Sequence, residues 1–130
     1  MSTVLLDTHA FVWAVTTPDR LGPAAREIIA DPANTLLVSA ASVWEMAIKV
    51  RSGNWQEAEP IVSGIEAVAG RLGAGFLDID LADARRAGLL DWAHRDPFDR
   101  MLAAQAVHHQ LPLVTRDQVF RAVPGLGLLW

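Results

Sequence analysis

A chain of 130 residues with 52% apolar and 20% charged side chains has the length of one domain and is too apolar to stay disordered. It contains no cysteine, which excludes disulfide scaffolds, cysteine-ligated zinc or iron–sulfur sites, and cysteine nucleophiles. Net charge is −4, from 15 acidic against 11 basic residues, and Lys49 is the one lysine, so any nucleic-acid role must rest on a local arginine-lined site rather than on a basic face.

In chain order, Val4-Leu5-Leu6 is a short apolar strand that stops at Asp7, and the apolar run Ala10 to Val15 suits a buried helix behind it. Thr16-Thr17-Pro18-Asp19 breaks the chain before a helix over 21–30 with Pro23 in its first turn. Thr35 to Val38 is a second strand ending at Ser39, followed by a helix to Arg51 that Gly53 stops. Ile61, Ile65, Val68 and Leu72 predict one amphipathic helix over 57–71, and Phe76 to Ile79 a weaker third strand. A helix over 81–90 leads to a polar connection around Trp92. Asp96 and Pro97 then cap and open the clearest helix, 97–110. Leu111 to Thr115 is a fourth strand, and Gly127-Leu128-Leu129 a fifth. Strands apolar on both faces, alternating with helices, predict a single α/β domain over 1–130, in three layers with a mostly parallel central sheet.

No apolar run approaches the ~18 residues that span a bilayer. The opening Met1-Ser2-Thr3-Val4 puts no basic segment before an apolar one, so no secretory signal is expected and the protein reads as cytoplasmic. Mean hydropathy of +0.23 is high for a small soluble chain and predicts an apolar patch covered by a partner or a second copy.

In a doubly wound sheet the ligand site lies beyond the carboxyl ends of the strands, so the residues just after each strand carry the functional signal. Asp7 follows the first strand, Glu45 lies in the second turn after the second, Asp99 opens the helix before the fourth, and Asp117 follows Thr115. Four carboxylates brought together would repel one another and raise some of their pKa values, and Mg²⁺ or Mn²⁺, which favour hard oxygen ligands, would neutralise them. Each also has a plain structural reading: Asp7 and Asp117 as caps, Glu45 as a capping-box acid with Ser42 or an i,i+4 partner of Lys49, and Asp99 as a charge at a helix start.

Asp96 is first a cap and second an outer ligand. Thr8, Ser39 and Thr115 are hydroxyls able to orient the acids or bind phosphate, and each is equally a strand-end residue. Arg100 and Arg116 flank two of the acids and would either contact a nucleic-acid backbone or pair with them. His9, His94, His108 and His109 show no zinc-like spacing, and the tryptophans read as core or interface residues.

Val4-Leu5-Leu6-Asp7-Thr8-His9-Ala10-Phe11-Val12-Trp13 resembles the opening block of PIN-domain ribonucleases of the VapC toxin type. Val38 to Lys49, with Glu45 at its centre, His94-Arg95-Asp96-Pro97-Phe98-Asp99, and Leu113-Val114-Thr115-Arg116-Asp117 resemble the second, third and fourth. The resemblance covers nearly the whole chain and says least over 52–92. It implies a PIN-like α/β fold and Mg²⁺- or Mn²⁺-dependent cleavage of RNA, with Asp7, Glu45, Asp99 and Asp117 as metal-binding acids. It further implies a cognate antitoxin, commonly a homodimer, and operator DNA bound only through the antitoxin complex. The expected chemistry is hydrolysis by a metal-activated water, leaving 5′-phosphate and 3′-hydroxyl ends.

Two other enzyme classes lack their residues here. A phospho-acceptor receiver domain needs adjacent acids after the first strand and a lysine after the last, and a haloacid-type phosphatase needs an acid where His9 stands. The alternative from a different class is a non-enzymatic binding module whose acids are only caps.

Overall fold

The computed structural model describes Met1–Trp130, and its strands are short and apolar, most of them closely followed by a side chain that caps the next helical turn. The elements are β1 (Thr3–Leu6), α1 (Thr8–Thr16), α2 (Pro23–Ala30), β2 (Thr35–Ser39), α3 (Ala40–Arg51), α4 (Glu59–Ser63), α5 (Ile65–Leu72), β3 (Ala74–Leu77), α6 (Leu81–Leu89), α7 (Pro97–His108), β4 (Leu113–Val114) and β5 (Leu128–Leu129). Single 3-10 turns occupy Pro18–Arg20, Gln56–Ala58 and Gln118–Ala122. The Asp7 side chain caps α1, Ser39 caps α3, Asp80 forms a capping box with Asp83 on α6, and Asp96 caps α7.

The five strands lie in the order β3-β2-β1-β4-β5, and every pairing is parallel, so the sheet is wholly rather than mostly parallel. Leu6 is in register with Val38 on one side and with Val114 on the other. The chain runs outward from β1 to β3, then crosses back through α6 and α7 to lay β4 on the other side of β1. Strand order therefore reverses between β1 and β4, and a crevice opens there at the carboxyl ends.

Side chains alternate across β1 and divide the core in two. Val4 and Leu6 join Phe11, Val38, Met46, Ile61 and Val68 on one face, while Leu5 joins Leu102, Ala103, Leu113 and Phe120 on the other. Helices thus cover both faces in three layers. No helix is long and apolar enough to cross a membrane. Trp44, Ile48, Phe76, Leu81, Leu89 and Val107 stay exposed.

Three boundaries differ from the sequence reading. The single helix expected over 57–71 is a 3-10 turn and two short helices, because Gly64 takes a non-helical backbone (φ −129°, ψ 42°) between Ser63 and Ile65. Glycine in a helix interior costs roughly 1 kcal/mol relative to alanine, and the apolar stripe alone does not register that cost. The third strand lies at Ala74–Leu77 rather than from Phe76 to Ile79, paired Leu36 to Ala74 and Ser39 to Leu77. Helix α7 ends at His108: Gln110 turns left-handed (φ 55°), its N–H reaches the Val107 carbonyl, and the Leu111 N–H reaches that of Ala106. That pair of bonds closes the helix and shortens the fourth strand to Leu113–Val114.

Candidate active site

All four strand-end acids open onto one cleft of about 640 Å³ at the β1/β4 crevice, lined also by Thr8, His9, Trp13, Lys49, Asp96, Arg116, Gln118 and Trp130. Each acid is placed by a local device that the plain structural readings named. Asp7 Oδ1 accepts from Ala10 N at 2.7 Å, which starts α1, and Oδ2 accepts from the Thr115 hydroxyl. Glu45 Oε2 meets Lys49 Nζ at 2.7 Å, one helical turn on. Its Oε1 lies 2.7 Å from Thr8 Oγ1, which is also 2.9 Å from Ser42 Oγ. The Thr8 hydroxyl donates to the carboxylate and lies against the Ser42 hydroxyl. Asp117 Oδ1 accepts from Val119 N, and Asp117 N donates to Thr115 Oγ1, so one threonine ties two of the acids together. Capping and convergence are one arrangement.

Asp99 sits in the first turn of α7, where Asp96 Oδ1 accepts from Phe98 N and Asp99 N. Asp99 Oδ2 is 2.7 Å from His94 Nε2, and the His94 ring rests on Trp92 at 4.8 Å. Zinc-like spacing is the wrong signal for His94. Its position five residues before Asp99 is informative only once the α6–α7 connection is known to fold back. His94, Asp96 and Asp99 form the tightest group of potential ligand atoms, all within 4.8 Å of one another. The His94 contact engages one Asp99 oxygen, as the Ala10, Thr115, Thr8 and Lys49 contacts engage those of Asp7 and Glu45.

Burial pushes the Asp7 carboxyl up from 3.8 to about 6; the Thr115 and Ala10 hydrogen bonds oppose the rise, and the Asp99 and Glu45 charges add to it. Asp99 is raised by the same desolvation, opposed by His94 and reinforced by Asp96 and Glu45. His9 is lowered, by burial and then by the Lys49 charge.

Two residues expected near the acids lie elsewhere in function. Arg100 neither pairs with an acid nor faces the cleft: its guanidinium donates to the carbonyls of Ala87, Gly88, Leu90, Trp92 and His94, at 2.7–3.3 Å. Ser39 is fully buried; its hydroxyl accepts from Ala41 N and donates to Gln105 Oε1 at 2.7 Å. Trp13, in the core as expected, and Trp130, packed against that core, also reach the cleft wall.

An all-parallel α/β sheet with acids gathered at its reversal point belongs to a defined class. A family model described as "PIN domain" matches residues 4–126, and the chain belongs to that family. Ribonuclease VapC22 of Mycobacterium tuberculosis is 34% identical over 122 residues, which cover 94% of this chain and 92% of that protein. Among solved structures, VapBC2 of Rickettsia felis bound to a DNA fragment from the promoter has a similar fold, with a TM-score of 0.70, 20% identity, and 98% and 97% of the two chains covered. DNA-bound VapBC of Salmonella typhimurium matches with a TM-score of 0.72 at the same identity and coverage.

Proposed function

We propose that this protein is a divalent-metal-dependent endoribonuclease, the toxin of a toxin–antitoxin pair acting in the cytoplasm, with Asp7, Glu45, Asp99 and Asp117 as its metal-holding acids. The observation that carries the reading is the gathering of those four carboxylates, from four separate segments, on one cleft with two of them raised in pKa. Oxygen-only donors crowded in this way suit Mg²⁺ or Mn²⁺ rather than a softer ion. When bound, the ion supplies Lewis-acid activation of water and neutralises charge at the phosphodiester. Thr8, Thr115 and Lys49 hold Glu45 and Asp7 in fixed orientations, so the donor set is organised in advance. His94 holds the Asp99 carboxylate beside the cleft at 2.7 Å.

The name of the 34%-identical relative supports ribonuclease activity, and the VapBC complexes that share the fold support an antitoxin partner, with operator DNA bound through that complex. We extend the reading to a homodimer; the exposed Trp44, Ile48, Leu81 and Leu89 are apolar surface for these contacts. Mapping cleavage ends in total cellular RNA tests the activity: 5′-phosphate and 3′-hydroxyl ends that vanish with Asp99→Asn support it, and 2′,3′-cyclic phosphate ends overturn it.

A further inference from the structure

Arg116 stands apart from every other charged group on the cleft. It is the cleft's single arginine, and it is exposed. Five carboxylates line the same space, yet the three ion-pair contacts of the chain leave Arg116 out, and its guanidinium makes no hydrogen bond. Instead it lies over the Trp13 indole, 5.2 Å from the ring centroid. Trp13 is itself 8% exposed and packed edge-on against Trp130 and His9, so the platform under the guanidinium is rigid. Arg20, also exposed and without a carboxylate partner, lies 5.5 Å from the same indole, on the rim outside the cleft. Lys49 differs, because its ammonium is tied to Glu45.

We propose that Arg116, mounted on Trp13, binds the phosphate next to the scissile bond of a single RNA strand, and that Arg20 takes a phosphate further along the same strand. This rests on the ribonuclease reading and names the path of the substrate. A planar guanidinium offers donors in a fork that matches phosphate oxygens two at a time, and stacking fixes its plane before the ligand arrives. The floor of the cleft is acidic and repels a phosphate backbone, so a strand needs a cation at the rim to enter. In a chain of net charge −4 that cation must be local, and these two arginines supply it. An acidic protein segment would be the other anionic occupant. It would need an apolar seat beside the cation, but the cleft's apolar side chains, Trp13 and Trp130, are packed on each other.

The test compares wild type, Arg116→Ala, Arg116→Lys and Arg20→Ala in binding a short phosphorothioate RNA of mixed sequence, over a salt series, and in RNA cleavage. Arg116→Ala is expected to weaken RNA binding about tenfold, lower the salt slope by about 0.7 and raise KM with kcat at saturation little changed. Arg116→Lys should recover the salt slope but not the affinity, and Arg20→Ala should show a smaller loss of the same kind. Cleavage by wild type with Arg116→Ala unchanged in affinity and slope overturns the subsite and leaves the ribonuclease reading standing. A wild type that neither binds nor cleaves RNA overturns both. Loss of poly-glutamate binding without loss of RNA binding in Arg116→Ala assigns the guanidinium to an acidic protein segment and overturns the proposal.

Discussion

Two arginines sit one residue from an acid of the cleft, Arg100 after Asp99 and Arg116 before Asp117, and they end in opposite states. Arg100 faces a corner where α6 has just ended and the chain folds back to α7, so five carbonyls converge on it, of which only that of Leu90 also accepts a backbone N–H, from Trp92. Arg116 follows β4, and no carbonyl accepts from its guanidinium, which lies over the Trp13 indole instead. Residue type and neighbouring acid are the same. What differs is the number of orphan carbonyls nearby, and that decides whether an arginine holds the fold or stays available to a ligand.

Substitutions can break or sharpen this contrast. The largest effect belongs to the acids of the cleft: Asp7→Asn should lower RNA cleavage at least about a thousandfold, some 4 kcal/mol of barrier, in an assay with Mg²⁺. The same change should stabilise the metal-free fold. A carboxyl whose folded pKa is raised favours folding in its protonated form, so its stabilising contribution is full below 3.8 and lost as pH rises through about 6. Above that range the charged Asp7 costs roughly 3 kcal/mol, so denaturant melts should show Asp7→Asn more stable at pH 8, with the advantage gone near pH 4. A variant that is less stable at pH 8 would make Asp7 a cap and nothing more.

Arg100→Met should cost about 3 kcal/mol in urea unfolding at neutral pH, since it orphans the α6–α7 carbonyls; Arg100→Lys should recover only part, lacking the fork. Gln105→Leu comes next, at about 2 kcal/mol. It strips a buried partner from Ser39 and from Asp83, whose other oxygen already has no hydrogen bond. Millimolar Mg²⁺ or Mn²⁺ should stabilise wild type by about 1–3 kcal/mol in thermal melts, an effect reversed by chelator and absent in Asp7→Asn. Smallest is Arg116→Ala, expected to change stability by less than about 1 kcal/mol, the value of one cation–π contact. If Arg116→Ala destabilises the fold as much as Arg100→Met, the distinction between the two arginines is wrong.

Local chemistry makes much of this molecule legible in advance. Asp7, Asp99 and Asp117 stand out because each closely follows a short apolar run or opens a helix, and Glu45 because it lies in the second turn after a strand; a parallel sheet brings such positions to one edge. The Asp96–Pro97 start of α7 is legible for the same reason. Gly64 is not, because the apolar stripe continues at helical spacing straight across it. Ser39, His94 and Arg100 escape a sequence reading because their partners, Gln105, Asp99 and the α6–α7 carbonyls, depend on how two helices turn against each other. Trp13 on its own reads as a core residue; its role as a platform for Arg116 and Arg20 appears only when β4 is laid beside β1.

The Thr115–Asp7 bond joins residues 108 positions apart, and it ties the start of the first helix to the last of the acid-bearing segments. A chain still emerging from the ribosome therefore carries Asp7 and Glu45 well before the threonine that orients the first of them. Until β4 pairs with β1, the crevice lacks one wall and the Asp117 turn that completes it. On the reading proposed above, the cleft is complete only when almost the whole chain has been made.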